Sequence, residues 1–83
     1  MKTLLIAHRG NTNGPNKIME NNPNYIEQAL EKGFDCEIDL RYDTDSKKYY
    51  LGHDQNQYEI SFKWLLRFKE NLWIHCKDFA SLN

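Results

Sequence analysis

Short apolar runs alternate along this chain with segments of helical periodicity, and its ionisable residues collect where the runs end. Leu4 to His8 is a compact apolar run that suits a strand buried on both faces. Asn11 to Asn16 follows as a loop rich in Asn and Gly, with Pro15. Asn22 is placed to cap a helix whose first position is Pro23, and Tyr25, Ile26, Ala29 and Leu30 then recur at helical spacing until Gly33 ends the pattern. Phe34 to Arg41 reads as a second strand, Tyr42 to Lys48 as a turn region, and Tyr49 to Gly52 as a short extended piece leading into His53-Asp54. After a loop, Ser61 caps a second amphipathic helix carrying Phe62, Trp64, Leu65, Leu66 and Phe68. Leu72 to Lys77 is a third strand, and a further helix begins near Asp78. Strand, helix, strand, helix, strand predicts an α/β fold with parallel strands and right-handed crossovers. Residues 1–83 form one domain without internal repeats.

Strand alternation sorts the side chains onto faces. In the second strand Glu37, Asp39 and Arg41 share one face and Cys36, Ile38 and Leu40 the other. In the third, Trp73, His75 and Lys77 lie opposite Leu72, Ile74 and Cys76, and in the first, Leu4, Ile6 and His8 share a face. One side of the sheet is therefore apolar and suited to helices, while the other gathers ionisable groups toward the strand ends. Two carboxylates at neighbouring same-face positions repel and lose hydration on burial, a cost that a hard divalent cation would offset. Histidine, with an unperturbed pKa near ~6.5, allows two such residues to work in opposite protonation states at neutral pH.

Composition narrows the classes. The chain has 83 residues, 40% hydrophobic and 28% charged, with a formal net charge of -1. That is a globular balance, and the lack of a basic excess argues against a nucleic-acid or anionic-membrane partner. No run reaches the roughly 18 apolar residues of a membrane span, and the opening run is too short for a secretory core, so a cytoplasmic protein is expected. Cys36 and Cys76 are too few for a disulfide framework and lack zinc-type spacing. Gly10 and Gly14 fit neither a dinucleotide fingerprint nor a P-loop.

Taken in order, Ile6-Ala7-His8-Arg9-Gly10, Glu20-Asn21, Glu37-Ile38-Asp39-Leu40, Thr44-Asp45 and Gly52-His53-Asp54 resemble the N-terminal part of the glycerophosphodiester phosphodiesterase family, within the phosphatidylinositol phospholipase C-like superfamily. The likeness extends to Lys77. It implies about three β/α units of a TIM (β/α)8 barrel, a fold whose active sites lie at the strands' C-terminal ends. It further implies metal-dependent phosphodiester hydrolysis. His8 and His53 would be the acid/base pair, Glu37 and Asp39 the ligands of Mg²⁺ or Ca²⁺, and Glu20 a further acidic group near the metal. Arg9 and Lys77 would face phosphate. The implied substrate is a small phosphodiester or a lysophospholipid-like molecule.

Two departures stand out. The family has an acidic residue two positions before its lysine, where this chain has His75; as a ligand, His75 would turn preference toward transition metals. The stretch between His53-Asp54 and the helix of Trp64 is also too short for the inserted subdomain of typical glycerophosphodiesterases. A complete barrel takes about 250 residues, so an incomplete domain is expected, exposing Trp73 and the ionic cluster. Plainer readings run alongside: Glu37 and Asp39 on a solvent-facing strand, His53-Asp54 as a turn, His75 as a core histidine, Lys77 as a solvated strand end. Two further functions remain open: a non-catalytic, degenerate barrel segment that binds a phosphorylated ligand or partner, and a different metallo-phosphoesterase using His8, His53 and His75.

Overall fold

A computed structural model describes residues 5–77. Leu4 and the helix expected near Asp78 lie outside the described residues. Strand β1 spans Ile6–His8, helix α1 Pro23–Glu31, strands β2, β3 and β4 Asp35–Asp43, Lys48–Leu51 and Tyr58–Ile60, helix α2 Phe62–Phe68 and strand β5 Leu72–Cys76. A single 3-10 turn, Lys69–Asn71, joins α2 to β5.

Helix α1 starts and stops on its own sequence signals. The Asn22 side chain accepts from the backbone N–H of Asn24 at 2.9 Å, and Pro23 follows where its missing N–H costs nothing. At the other end Gly33 adopts φ +92°, its N–H donates to Leu30 O at 3.0 Å, and the N–H of Phe34 reaches Ala29 O at 3.1 Å. This paired closure is the Schellman arrangement, and the left-handed residue it needs is glycine. Helix α2 is capped by Ser61, whose hydroxyl accepts from the N–H of Trp64 at 3.1 Å.

The sheet is organised around β2, which pairs in parallel with both β1 and β5. Successive backbone groups of a strand point to opposite edges. Asp35 N–H donates to Leu5 O at 2.8 Å, Glu37 O accepts from Arg9 N–H at 2.8 Å, and Asp39 O accepts from Gly52 N–H at 3.0 Å. These alternate positions face one edge, where β1 runs first and β3 takes over. Leu40 O accepts from Lys77 N–H at 2.9 Å on the opposite edge, along β5. The parallel order expected of β1, β2 and β5 is observed.

The sheet also contains a hairpin that the periodicity does not announce. β3 pairs antiparallel with the second half of β2, from Leu40↔Leu51 to Asp43↔Lys48, and β4 pairs antiparallel with β3. The second strand therefore continues through Asp43, and the turn is confined to residues 44–47, where Lys47 adopts φ 57°.

Ala7, Ile26, Ala29, Cys36, Ile38, Leu40, Leu51, Ile60 and Leu65 form one buried cluster. Each large aliphatic side chain in it contributes on the order of 2 kcal/mol. Trp64 is half-buried at its margin with Phe68 against its ring, and the indole N–H of Trp64 donates to Glu27 at 3.2 Å. β1 is not buried on both faces: Ala7 is 1% exposed but Ile6 is 46% exposed, because no described element covers that side. Trp73 shares the open side and is half exposed, its indole N–H donating to Asp35 at 3.2 Å.

Candidate functional site

Parallel register carries the expected residues to one end of the sheet. His8 lies beside Glu37 and Asp39 beside His75, on the face opposite Cys36 and Ile38. The Nε2 of His8 stands 3.0 Å from Glu37 Oε1, and the Nδ1 of His75 stands 3.3 Å from Asp39 Oδ1. Lys77 continues β5 on the same face as His75, close enough for its charge to act on Asp39.

Arg9 is the hub. It follows β1 directly and sits at φ 54°, a left-handed conformation that costs a side-chain-bearing residue roughly 1–2 kcal/mol. Gly10 comes next at φ +90°, with so little space that a Cβ there would lie 2.9 Å from the Tyr25 ring. This sharp exit from the strand turns the Arg9 side chain back over the end of β2. Its Nη1 donates to Glu20 at 3.1 Å and its Nη2 contacts His53 Nδ1 at 2.6 Å. Its Nε lies 2.8 Å from Asp39 Oδ2 without an aligned hydrogen bond, a Coulombic contact. A guanidinium has no acceptor and keeps its protons, so His53 Nδ1 must accept here and the ring proton must reside on Nε2.

Asp39 is fully buried although its strand face is otherwise open. Asn21 explains how it is tolerated. The Asn21 amide donates to Asp39 Oδ2 and its carbonyl oxygen accepts from the Asp39 backbone N–H, both at 2.9 Å. Asn21 itself takes φ 66°, which asparagine tolerates better than most residues, and its N–H donates to Arg9 O at 3.0 Å. Burial opposes ionisation of Asp39, but the Asn21 hydrogen bond and the charges of Arg9 and Lys77 outweigh it, holding the carboxyl below its usual value.

Glu20 is committed at both oxygens. Oε1 accepts from Arg9, and Oε2 accepts from Asn11 Nδ2 at 2.9 Å. The Asn11 hydrogen bond, with the charge of Arg9 and against opposing burial, keeps Glu20 below the usual carboxylate range.

His53 is delivered by the loop that joins β3 to β4. Gly52 opens the loop, and a Cβ at that position would collide with the carbonyl oxygen of Gln55. Gln57 N–H closes the loop on Leu51 O at 3.2 Å, and Arg41 donates to the His53 carbonyl at 3.2 Å. Between this loop and the 11–21 segment opens a cleft of about 500 Å³ lined by Arg9, Lys17, Glu20, His53, Asp54 and Gln57, among other polar residues. Tyr58 ties the two walls together by donating to Ile18 O at 3.3 Å.

The structure thus draws His8 to Glu37 and Arg9, His53 and His75 around Asp39, with Glu20 joined to that group through Arg9. Among the described residues no three His, Cys, Asp or Glu side chains converge as a group able to hold a metal ion. The donor chemistry nevertheless suits a cation at one atom: Asp39 Oδ1 is buried and accepts no hydrogen bond, an orphaned carboxylate oxygen on the face it shares with Glu37. Asn11, Asn21, Tyr25, Lys17 and Gln57 received no role from the sequence. Asn21 alone had a signal, its place beside Glu20 in a segment where asparagine suits a left-handed turn. Among the described residues no helix is long and apolar enough to cross a membrane. Compared with known proteins, the chain matches no protein-family profile, no curated protein and no solved structure.

Proposed function

We propose that this chain carries the catalytic strand ends of a metal-dependent phosphodiesterase, built as part of a (β/α)8 barrel. The observation that carries the reading is the grouping of Arg9, His53 and His75 around one buried carboxylate, Asp39, beside the His8–Glu37 pair and next to a polar cleft. A phosphodiester in that cleft places its phosphoryl oxygens against Arg9, whose charge opposes the negative charge that builds as the bond to phosphorus breaks, while Lys77 lies outside the cleft lining and adds positive charge from the end of β5. When a phosphoryl oxygen accepts the Arg9 Nη2 hydrogen bond in place of His53, the Nδ1 of His53 is released while Arg9 stays charged. Both ring nitrogens of His53 are then available for proton transfer, and Glu37 holds His8 by its Nε2. One histidine accepts the proton of the attacking hydroxyl and the other protonates the departing alcohol oxygen. A divalent cation held by Glu37 and Asp39 would supply further charge neutralisation at phosphorus.

The test is hydrolysis of an aryl phosphodiester in Mg²⁺, Ca²⁺, Mn²⁺ or chelator, for wild type, His8→Ala and Glu37→Gln. Metal-dependent turnover lost in both variants supports the reading. Absence of turnover with every metal, in folded protein, moves the assignment to a second function: binding a phosphorylated ligand without chemistry. That alternative draws on the saturation of Arg9, whose three nitrogens already face Glu20, Asp39 and His53.

A further inference from the structure

We propose that Asn11 and Tyr25 are positioning residues for Arg9, and that Glu20 serves with them rather than as a cation ligand. What Arg9 binds rests on the phosphodiesterase reading; how Arg9 is held does not. A single chain of hydrogen bonds runs from helix α1 to the guanidinium. The hydroxyl of Tyr25 donates to Asn11 Oδ1 at 3.2 Å, the Asn11 amide donates to Glu20 Oε2 at 2.9 Å, and Arg9 donates to Glu20 Oε1 at 3.1 Å.

The polarity of this chain is fixed. An ionised carboxylate only accepts, so Asn11 must turn its NH₂ toward Glu20. That leaves its carbonyl oxygen for Tyr25, which supplies the one group there able to donate. Tyr25 is in turn anchored by helix α1, and its ring packs against Gly10 where no side chain could fit. The Arg9–Glu20 pair is largely buried, with the side chains 18% and 13% exposed. A long arginine side chain has many rotamers to lose, so an anchored carboxylate that fixes one nitrogen improves the aim of the others. The same geometry disfavours a cation at Glu20. Each of its oxygens already accepts an N–H, whereas Asp39 keeps one oxygen that accepts none.

Three variants separate the two roles: Glu20→Gln, Asn11→Asp and Tyr25→Phe, with Glu37→Gln as the reference for a ligand. In the full chain, ¹⁵N NMR of the Arg9 guanidinium is expected to show held, resolved Nη signals in wild type that average in Glu20→Gln and Asn11→Asp. Mn²⁺ affinity is expected to stay within about twofold of wild type in both, while KM for the aryl phosphodiester rises about tenfold and kcat changes less. Tyr25→Phe is expected to give a smaller rise in KM. The proposal is overturned if Glu20→Gln weakens Mn²⁺ as much as Glu37→Gln does, or if the Arg9 signals are unchanged in Asn11→Asp. Should wild type neither bind Mn²⁺ nor cleave the diester, the phosphodiesterase reading falls, and the Arg9 signals still decide the clamp by themselves.

Discussion

Asn21 and Asp39 hold each other at two points, the amide on the carboxylate and the side-chain oxygen on the backbone N–H, both at 2.9 Å and both buried. Among the described residues no other side chain is seen to accept from the Asp39 backbone N–H, so the pair, with the charges of Arg9 and Lys77, supports a buried anion on β2. Asn21→Ala removes both bonds and leaves a buried N–H and a carboxylate oxygen short of partners. The expected cost is about 2–3 kcal/mol, measured as a lower midpoint in urea unfolding. Asn21→Asp is expected to cost more, since a second carboxylate would face Asp39. An Asn21→Ala protein as stable as wild type would show that Asp39 does not need the clamp.

The carboxyls of Asp39 and Glu20 titrate below their ordinary values of 3.8 and 4.5 in the folded chain. A depressed acid means that the unfolded chain binds more protons than the folded one across that range, so stability rises with pH there. The contribution is complete above the ordinary values and drains as pH falls through the lower folded ones. Urea midpoints are therefore expected to hold on their account down to about pH 5 and to fall below it. In Asn21→Ala the fall should be shallower, because Asp39 loses a hydrogen bond that favours its ionised form and its folded value moves back toward the ordinary one. A midpoint that climbs on acidification below pH ~4 would contradict the assignment.

Gly52 has no room for a side chain, since the loop it opens folds its Gln55 carbonyl back onto it. Gly52→Ala must rebuild the loop and move His53. Overpacking of this kind costs about 1–3 kcal/mol, and on the proposed phosphodiesterase function a displacement of His53 by even about 1 Å is expected to lower kcat on the order of a hundredfold. Thermal melting and the aromatic proton shifts of His53 would report the two effects separately.

Cys36 is buried, and burial pushes its thiol up to about 11, while Cys76 is partly accessible. A thiol is not the reactive form, so native protein should take up maleimide at Cys76 and not at Cys36. Modification of Cys36 is expected only at the rate of global opening, which makes mass-resolved labelling a stability probe. Rapid labelling of Cys36 in native conditions would place it outside the core.

Much of the frame was legible because it is periodic. Alternation in Glu37-Ile38-Asp39 and in Trp73-Ile74-His75 fixed the faces, and the observed register sets Asp39 beside His75 as that alternation allows. Asn22, Pro23 and Gly33 marked the ends of α1 because capping is local chemistry. The β3–β4 hairpin was illegible beyond a short extended piece at Tyr49 to Gly52. β4 spans only Tyr58–Ile60, too few residues to show a period, and its pairing partner is set by the fold. The same holds for the candidate site. His8, Arg9 and Asp39 could be read as chemistry, but the residues that hold them could not. Asn21 acts across 18 positions, through a contact that exists only once β2 lies beside it, and Asn11 across 9, through a contact made when the 11–21 segment folds back on itself.

The division of β2 between two kinds of partner has an evolutionary consequence. Its first half belongs to the parallel scaffold of β1 and β5, and its second half to a hairpin joined to that scaffold through β2 alone among the sheet strands. That hairpin brings His53 and one wall of the cleft. It is a cassette: a lineage that keeps Gly52, His53 and the Leu40↔Leu51 pairing can lengthen, shorten or recode the rest of the loop before Tyr58 while the strand ends opposite stay as they are. One wall of the cleft can thus be inherited separately from the strand ends that face it.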